Sequence, residues 1–171
     1  MCVNLPLLAF TWATCSFGYF MVSIYLKYLG GDFFLNVYLS AVAEITAKLL
    51  TSVFIARIGL KRTYFVAYSV AAVSSCLLIF LAESSSTTMI AVLVIGCKAG
   101  LCMGFCTAYL AIVLVYPTTF VATAMGFCNI IARIASITAP MVAEISDPWP
   151  MSILAAMCAA AAILSSFIIV K

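Results

Sequence analysis

Histidine is absent from this 171-residue chain, and charge is scarce: eight Lys/Arg and five Asp/Glu make up 8% of it. Without histidine the chain has neither the usual general base near neutral pH nor the commonest metal ligand, so hydrolase and metalloenzyme readings lose their first requirement. No enzyme activity and no cofactor are expected. The shortage of charge excludes more. A soluble domain carries roughly 25% charged residues, because its surface must be solvated, and this chain cannot wet a globule of its size. No basic segment precedes the first apolar stretch, which begins almost at once and is long enough to cross a bilayer, so a cleavable signal peptide is not expected. The apolar stretches leave no room between them for a soluble domain or linker.

What is present is apolar: 67% hydrophobic residues and a mean hydropathy of +1.30. The bilayer is the solvent that fits such a chain, and there the backbone must satisfy its own polar groups. About 20 apolar residues cross the hydrocarbon core as a helix. The sequence divides into six such spans, at about 5–26, 35–57, 64–81, 89–115, 121–145 and 151–170, in a single domain over 1–171. The expected fold class is therefore an all-α integral membrane protein, a six-helix transmembrane bundle. Turn-forming residues punctuate it at Gly30-Gly31-Asp32, Gly59-Leu60-Lys61-Arg62, Glu83 to Thr88, Tyr116-Pro117-Thr118 and Ser146-Asp147-Pro148-Trp149-Pro150. Loops this short make neighbouring helices antiparallel.

Basic residues orient the bundle. Arg57, Lys61, Arg62 and Lys171 fall on one side, whereas Lys27 shares the other with Asp32, Glu83, Glu144 and Asp147. Both termini are expected on the cytoplasmic side of a multi-pass protein, in the plasma membrane or an organelle membrane. The eight cysteines are Cys2, Cys15, Cys76, Cys97, Cys102, Cys106, Cys128 and Cys158. Nearly all lie inside apolar stretches and read as small packing residues rather than disulfide partners. The Gly96, Gly100, Gly104 series repeats a GxxxG spacing that strips one helix face and lets another helix approach.

Four ionisable residues stand in mid-span: Glu44, Lys48, Lys98 and Arg133. A basic residue there costs about 3 kcal/mol on insertion scales, which demands a partner or a polar interior. Glu44 and Lys48, at i and i+4, can pair on one helix face, leaving Lys98 and Arg133 over. Three bases against one acid favour a small anion, and arginine offers a planar fork suited to carboxylate. Trp12, Ser16, Tyr19 and Phe20 lie at matching depth on the first span, and Phe105 is seven residues on from Lys98. An aromatic wall beside fixed cations suits an amphipathic organic anion, although such aromatics alone are more often packing or lipid-facing.

Several of these stretches resemble the organic-ion transporters of the major facilitator superfamily, in their C-terminal six-span half. The resemblance is carried by Tyr116-Pro117-Thr118, Ala124-Met125-Gly126, Ala132-Arg133-Ile134-Ala135-Ser136 and Ala139-Pro140, by Glu44-Ile45-Thr46-Ala47-Lys48-Leu49, and by Trp12 to Phe20. Arg133, where cation-transporting members carry an acid, makes it similar to the organic-anion branch. The resemblance implies one half of a major facilitator fold, itself a nested 3+3 repeat with the site near the midplane. It implies substrate contacts from Lys48, Lys98, Arg133, Tyr19, Phe20 and Phe105, supported by Glu44, Trp12 and Asn129, and alternating access without covalent chemistry. It also implies partners beyond the lipid bilayer and an organic anion: a second six-span half, a homodimer mate or a larger membrane complex, with no nucleic acid. The chain departs from the pattern where the family carries cytoplasmic latch charges, at Ala56, Leu60, Leu114 and Val121. Those departures keep open an alternative, a non-transporting structural subunit of a larger membrane complex derived from a transporter half.

Overall fold

The computed structural model describes residues 4–28, 33–81, 87–145 and 148–167. The turn at Gly30-Gly31-Asp32, the loop residues Glu83 to Ser86, Ser146, Asp147, Cys2 and Lys171 lie outside them. The described chain forms six α-helices: α1 (Asn4–Tyr25), α2 (Phe33–Ile58), α3 (Leu60–Leu81), α4 (Thr87–Val115), α5 (Thr118–Ala143) and α6 (Trp149–Ser165), with a 3-10 turn at Leu26–Tyr28. The first five are long and apolar enough to cross a membrane, and α6 is a shorter apolar helix. At 17 residues and a rise of 1.5 Å per residue, α6 extends about 25 Å.

The helix ends follow from local chemistry. Gly59 is the one described non-helical link between α2 and α3, and its φ of +84° is the left-handed conformation that glycine adopts without a Cβ penalty. Its amide donates to the Ile55 carbonyl at 3.1 Å, closing α2, while its own carbonyl accepts from the Thr63 amide at 3.1 Å, opening α3. One residue thus reverses the chain, so α3 begins at Leu60 rather than at the expected Tyr64, and Lys61 and Arg62 stand in its first turn. Pro117, extended at φ −64° and ψ 151°, caps α5, which begins at Thr118 rather than Val121. Pro148 precedes α6 and Pro150 stands in its first turn, where a missing amide hydrogen has no cost.

Helix α1 is the most enclosed: 67% of its most apolar stretch is buried, against 17% for α2 and for α5. It packs on α5, α4 and α6; α4 packs on α3 and α2, and α3 packs on α6. Exchanging the first three helices with the last three turns α1–α5 into α4–α2 and α3–α4 into α6–α1, so the pairings repeat as the two triplets of a half-facilitator bundle would. One core holds Leu8, Trp12, Tyr64, Tyr68 and Ile112; a second holds Phe17, Met21, Leu101 and Leu154. The two buried tyrosine hydroxyls of the first core both reach Thr11. The Tyr68 hydroxyl donates to the Thr11 carbonyl at 2.7 Å, and the Tyr64 hydroxyl lies 3.2 Å from Thr11 Oγ1. Of the α4 glycines, Gly96 and Gly100 face α3, and Gly104 lies between Cys15 of α1 and Tyr68 of α3. A Cβ on Gly100 would sit 2.8 Å from the Ala67 carbonyl oxygen and 2.9 Å from the Ala71 nitrogen, so only glycine permits that approach. The seven described cysteines are free thiols, five of them buried.

Candidate functional site

Three of the four mid-span charges, Glu44, Lys48 and Lys98, assemble where α1, α2 and α4 meet. Glu44 on α2 accepts two contacts at Oε1: the Tyr19 hydroxyl donates to it at 3.0 Å, and Lys98 Nζ lies 2.9 Å away. Lys98 also stands 5.1 Å from the centre of the Tyr19 ring, over its face, where the ring quadrupole attracts a cation. Lys48, one turn along α2, is 3.8 Å from Glu44 Oε2, an ion-pair distance too long for a hydrogen bond. The sequence spacing pairs Glu44 with Lys48; in the folded chain Lys98 holds the carboxylate more closely and Lys48 only loosely. The reason is enclosure. The Lys98 side chain is 8% exposed and needs a counter-charge, whereas that of Lys48 is 56% exposed.

Beside this cluster lies a recess of about 260 Å³. Helix α1 contributes Trp12, Ser16, Tyr19 and Phe20 to its wall, α2 contributes Lys48, α4 contributes Cys102, Phe105 and Tyr109, and α5 contributes Asn129 and Arg133. Trp12 packs edge-on against Tyr109 and Phe105, with ring centroids 4.4 and 6.0 Å away, and makes the aromatic floor. Arg133 is exposed and has no ion-pair partner among the described residues. Its neighbour one turn along α5, Ser136, lies 2.7 Å from Ser16 of α1, hydroxyl to hydroxyl, which fixes the rotation of α5 against α1. A second recess, near Tyr116 and Pro117, is lined by Leu5, Phe120, Thr123, Ala124 and Phe127 and presents no charged group.

Eight of the nine sequence-selected residues therefore meet: Trp12, Tyr19, Phe20, Lys48, Phe105, Asn129 and Arg133 on the recess wall, and Glu44 behind Tyr19. Lys98 reaches them only through Glu44 and the Tyr19 ring and lies off the wall. Tyr109 and Cys102 were missed. Both had a signal, since Cys102 and Tyr109 stand four residues from Lys98 and Phe105 respectively and share their helix face. The described residues contain no group of His, Cys, Asp and Glu able to hold a metal ion.

The recess is smaller than the roughly 300–1,000 Å³ usual for drug-sized ligands, and its two wall cations stay exposed. The helices that carry this polar wall are apolar, and the chain is similar in sequence to known solute carriers. Solute carrier family 22 member 16 of Xenopus laevis is 28% identical over 138 residues, covering 81% of this chain and 24% of the relative. Organic anion transporter 3 of Mus musculus is 28% identical over 137 residues, covering 79% and 25%. The chain is a relative of the solute carrier family 22 transporters. Putative transporter svop-1 of Caenorhabditis elegans is 31% identical over 125 residues, covering 73% of this chain and 24% of its own length. No protein-family profile matches the chain. This family 22 relative spans about a quarter of the length of the curated relatives it matches. With five helices fit to cross a bilayer, it is a multi-pass membrane protein.

Proposed function

We propose that this chain forms one half of an organic-anion transporter, binding the anion between Lys48 on α2 and Arg133 on α5. It would work with a second six-span half, another chain or a copy of itself, by alternating access, with both termini on the cytoplasmic side. The observation that carries the reading is Arg133, which borders an aromatic-lined recess at mid-helix with no ion-paired acid among the described residues. An arginine does not remain unpaired at that depth without a function or a counter-ion. A substrate carboxylate would exchange its hydration for the guanidinium fork and the Lys48 ammonium, in surroundings of low dielectric constant where such contacts strengthen. Trp12, Phe105 and Tyr109 would take the apolar body of the anion. Nothing in this scheme requires a covalent step; rocking of two halves about the midplane would expose the same cations first to one side and then to the other.

The test is equilibrium binding of a fluorescent organic carboxylate, carboxyfluorescein, to the full chain in lipid nanodiscs. Arg133→Ala is expected to weaken binding about 100-fold, the loss of a bidentate charged contact worth roughly 2–3 kcal/mol. Unchanged binding by a correctly inserted variant would refute the anion site. A second reading, a structural subunit, draws on the uncharged Ala56, Leu60, Leu114 and Val121 at the helix ends where the resembled family carries its latch. Native mass analysis of the mildly solubilised protein separates the two. A homodimer or one six-span partner favours transport, and a large assembly of unrelated subunits favours the structural role.

A further inference from the structure

We propose that Glu44 sets how many negative charges the bound anion carries, by keeping Lys98 neutralised in the core and leaving Lys48 and Arg133 as the cations of the recess wall. This inference rests on the anion-site reading above and adds to it a residue that controls specificity without touching substrate.

The geometry divides one carboxylate unequally between two lysines. Oε1 is fully engaged, with Lys98 Nζ at 2.9 Å and the Tyr19 hydroxyl at 3.0 Å. Oε2 reaches only Lys48, at 3.8 Å. Lys98 is enclosed and has spent its charge on Glu44; Lys48 is largely exposed and has not. Arg133 has no ion-pair partner among the described residues. Glu44 is the sole acid set against the three mid-span bases, so the layer carries a net charge of +2 because of this one side chain. In a medium of low dielectric constant an uncompensated charge is costly in either direction. The carboxylate therefore acts as a built-in competitor for substrate: it fills one of three cationic positions permanently. Its removal would release Lys98 and raise the layer to +3, and removal of Lys98 would turn Glu44 wholly toward Lys48 and lower it to +1. A purely structural pair would alter all ligands alike, whereas a charge-setting carboxylate must change the ranking of ligands that differ in charge.

Benzoate, isophthalate and trimesate present one, two and three carboxylates on the same ring, and the readout is their relative affinity for the full chain in nanodiscs, with any co-purifying partner retained. Glu44→Gln is expected to raise the trimesate-to-benzoate affinity ratio about tenfold, the order set by one added charge at nanometre range. Glu44→Asp, which keeps the charge, is expected to hold the ratio near the wild-type value. A Glu44→Gln ratio that stays put or falls, while the wild type binds, overturns this proposal and leaves the anion site standing. Where Glu44→Gln does not reach the bilayer, Lys98→Gln reads the same balance with opposite sign, a ratio about tenfold lower; an unmoved ratio there overturns the proposal equally. Failure of the wild type to bind any of the three ligands overturns both the site and this inference.

Discussion

Helix pairs α1–α5 and α4–α2 occupy equivalent places in the bundle, yet they are held together by different chemistry. Between α1 and α5 the mid-helix polar contact is neutral, Ser16 against Ser136 at 2.7 Å. Between α4 and α2 the contact is ionic, Lys98 against Glu44 at 2.9 Å, reinforced from α1 by Tyr19. The neutral seam leaves the arginine of α5 unspent. The ionic seam consumes the lysine of α4 and partly offsets that of α2. Two helices with the same backbone role thus present different charge to one recess, and the asymmetry comes from a single carboxylate.

Three substitutions probe that contrast. Lys98→Met should have the largest effect on stability, because it takes away the close ionic partner of a mostly enclosed carboxylate and leaves it only the Tyr19 hydroxyl and the looser Lys48 at 3.8 Å. A loss of about 3–5 kcal/mol is expected for breaking such a pair, read as a shortened half-life in detergent, and a loss under about 1 kcal/mol would show that the ionic seam is ornamental. Ser136→Ala removes the neutral contact and should cost about 0.6 kcal/mol, the usual size of an interhelical hydrogen bond in a membrane protein. A cost equal to that of Lys98→Met would erase the distinction between the seams. Lys48→Met should change stability least, by about 0.3 kcal/mol, since its ion pair is long and exposed. It should nonetheless weaken carboxyfluorescein binding about tenfold. The two lysines of Glu44 would then be separated by what they do: one holds helices together and the other meets the ligand.

Much of the architecture was legible because membrane helices are written in composition. Runs of about 20 apolar residues have one stable form in lipid, so six helices could be read before any contact was known. Their ends were legible less well. The residues Leu60 to Arg62 looked like a loop because they hold Lys61 and Arg62, but a single left-handed Gly59 completes the turn and frees them to start α3. The loop residues Glu83 to Ser86, expected opposite the cytoplasmic side, lie outside the described residues.

The sequence by itself determined that this protein lives in a bilayer, that three bases and one acid stand at mid-helix, and that aromatic residues share their depth. Those are consequences of composition and of a fixed rise per residue, which no tertiary contact can alter. Only the tertiary structure decided which base the acid takes. Spacing reveals partners on the same helix, and so it offered Lys48; it is blind to a neighbour 54 residues away on α4 (Glu44 to Lys98). That choice follows from how α2 and α4 are rotated against each other and from which ammonium the packing shuts away from solvent. The enclosed lysine needs the carboxylate more, and the exposed one is left to face the recess.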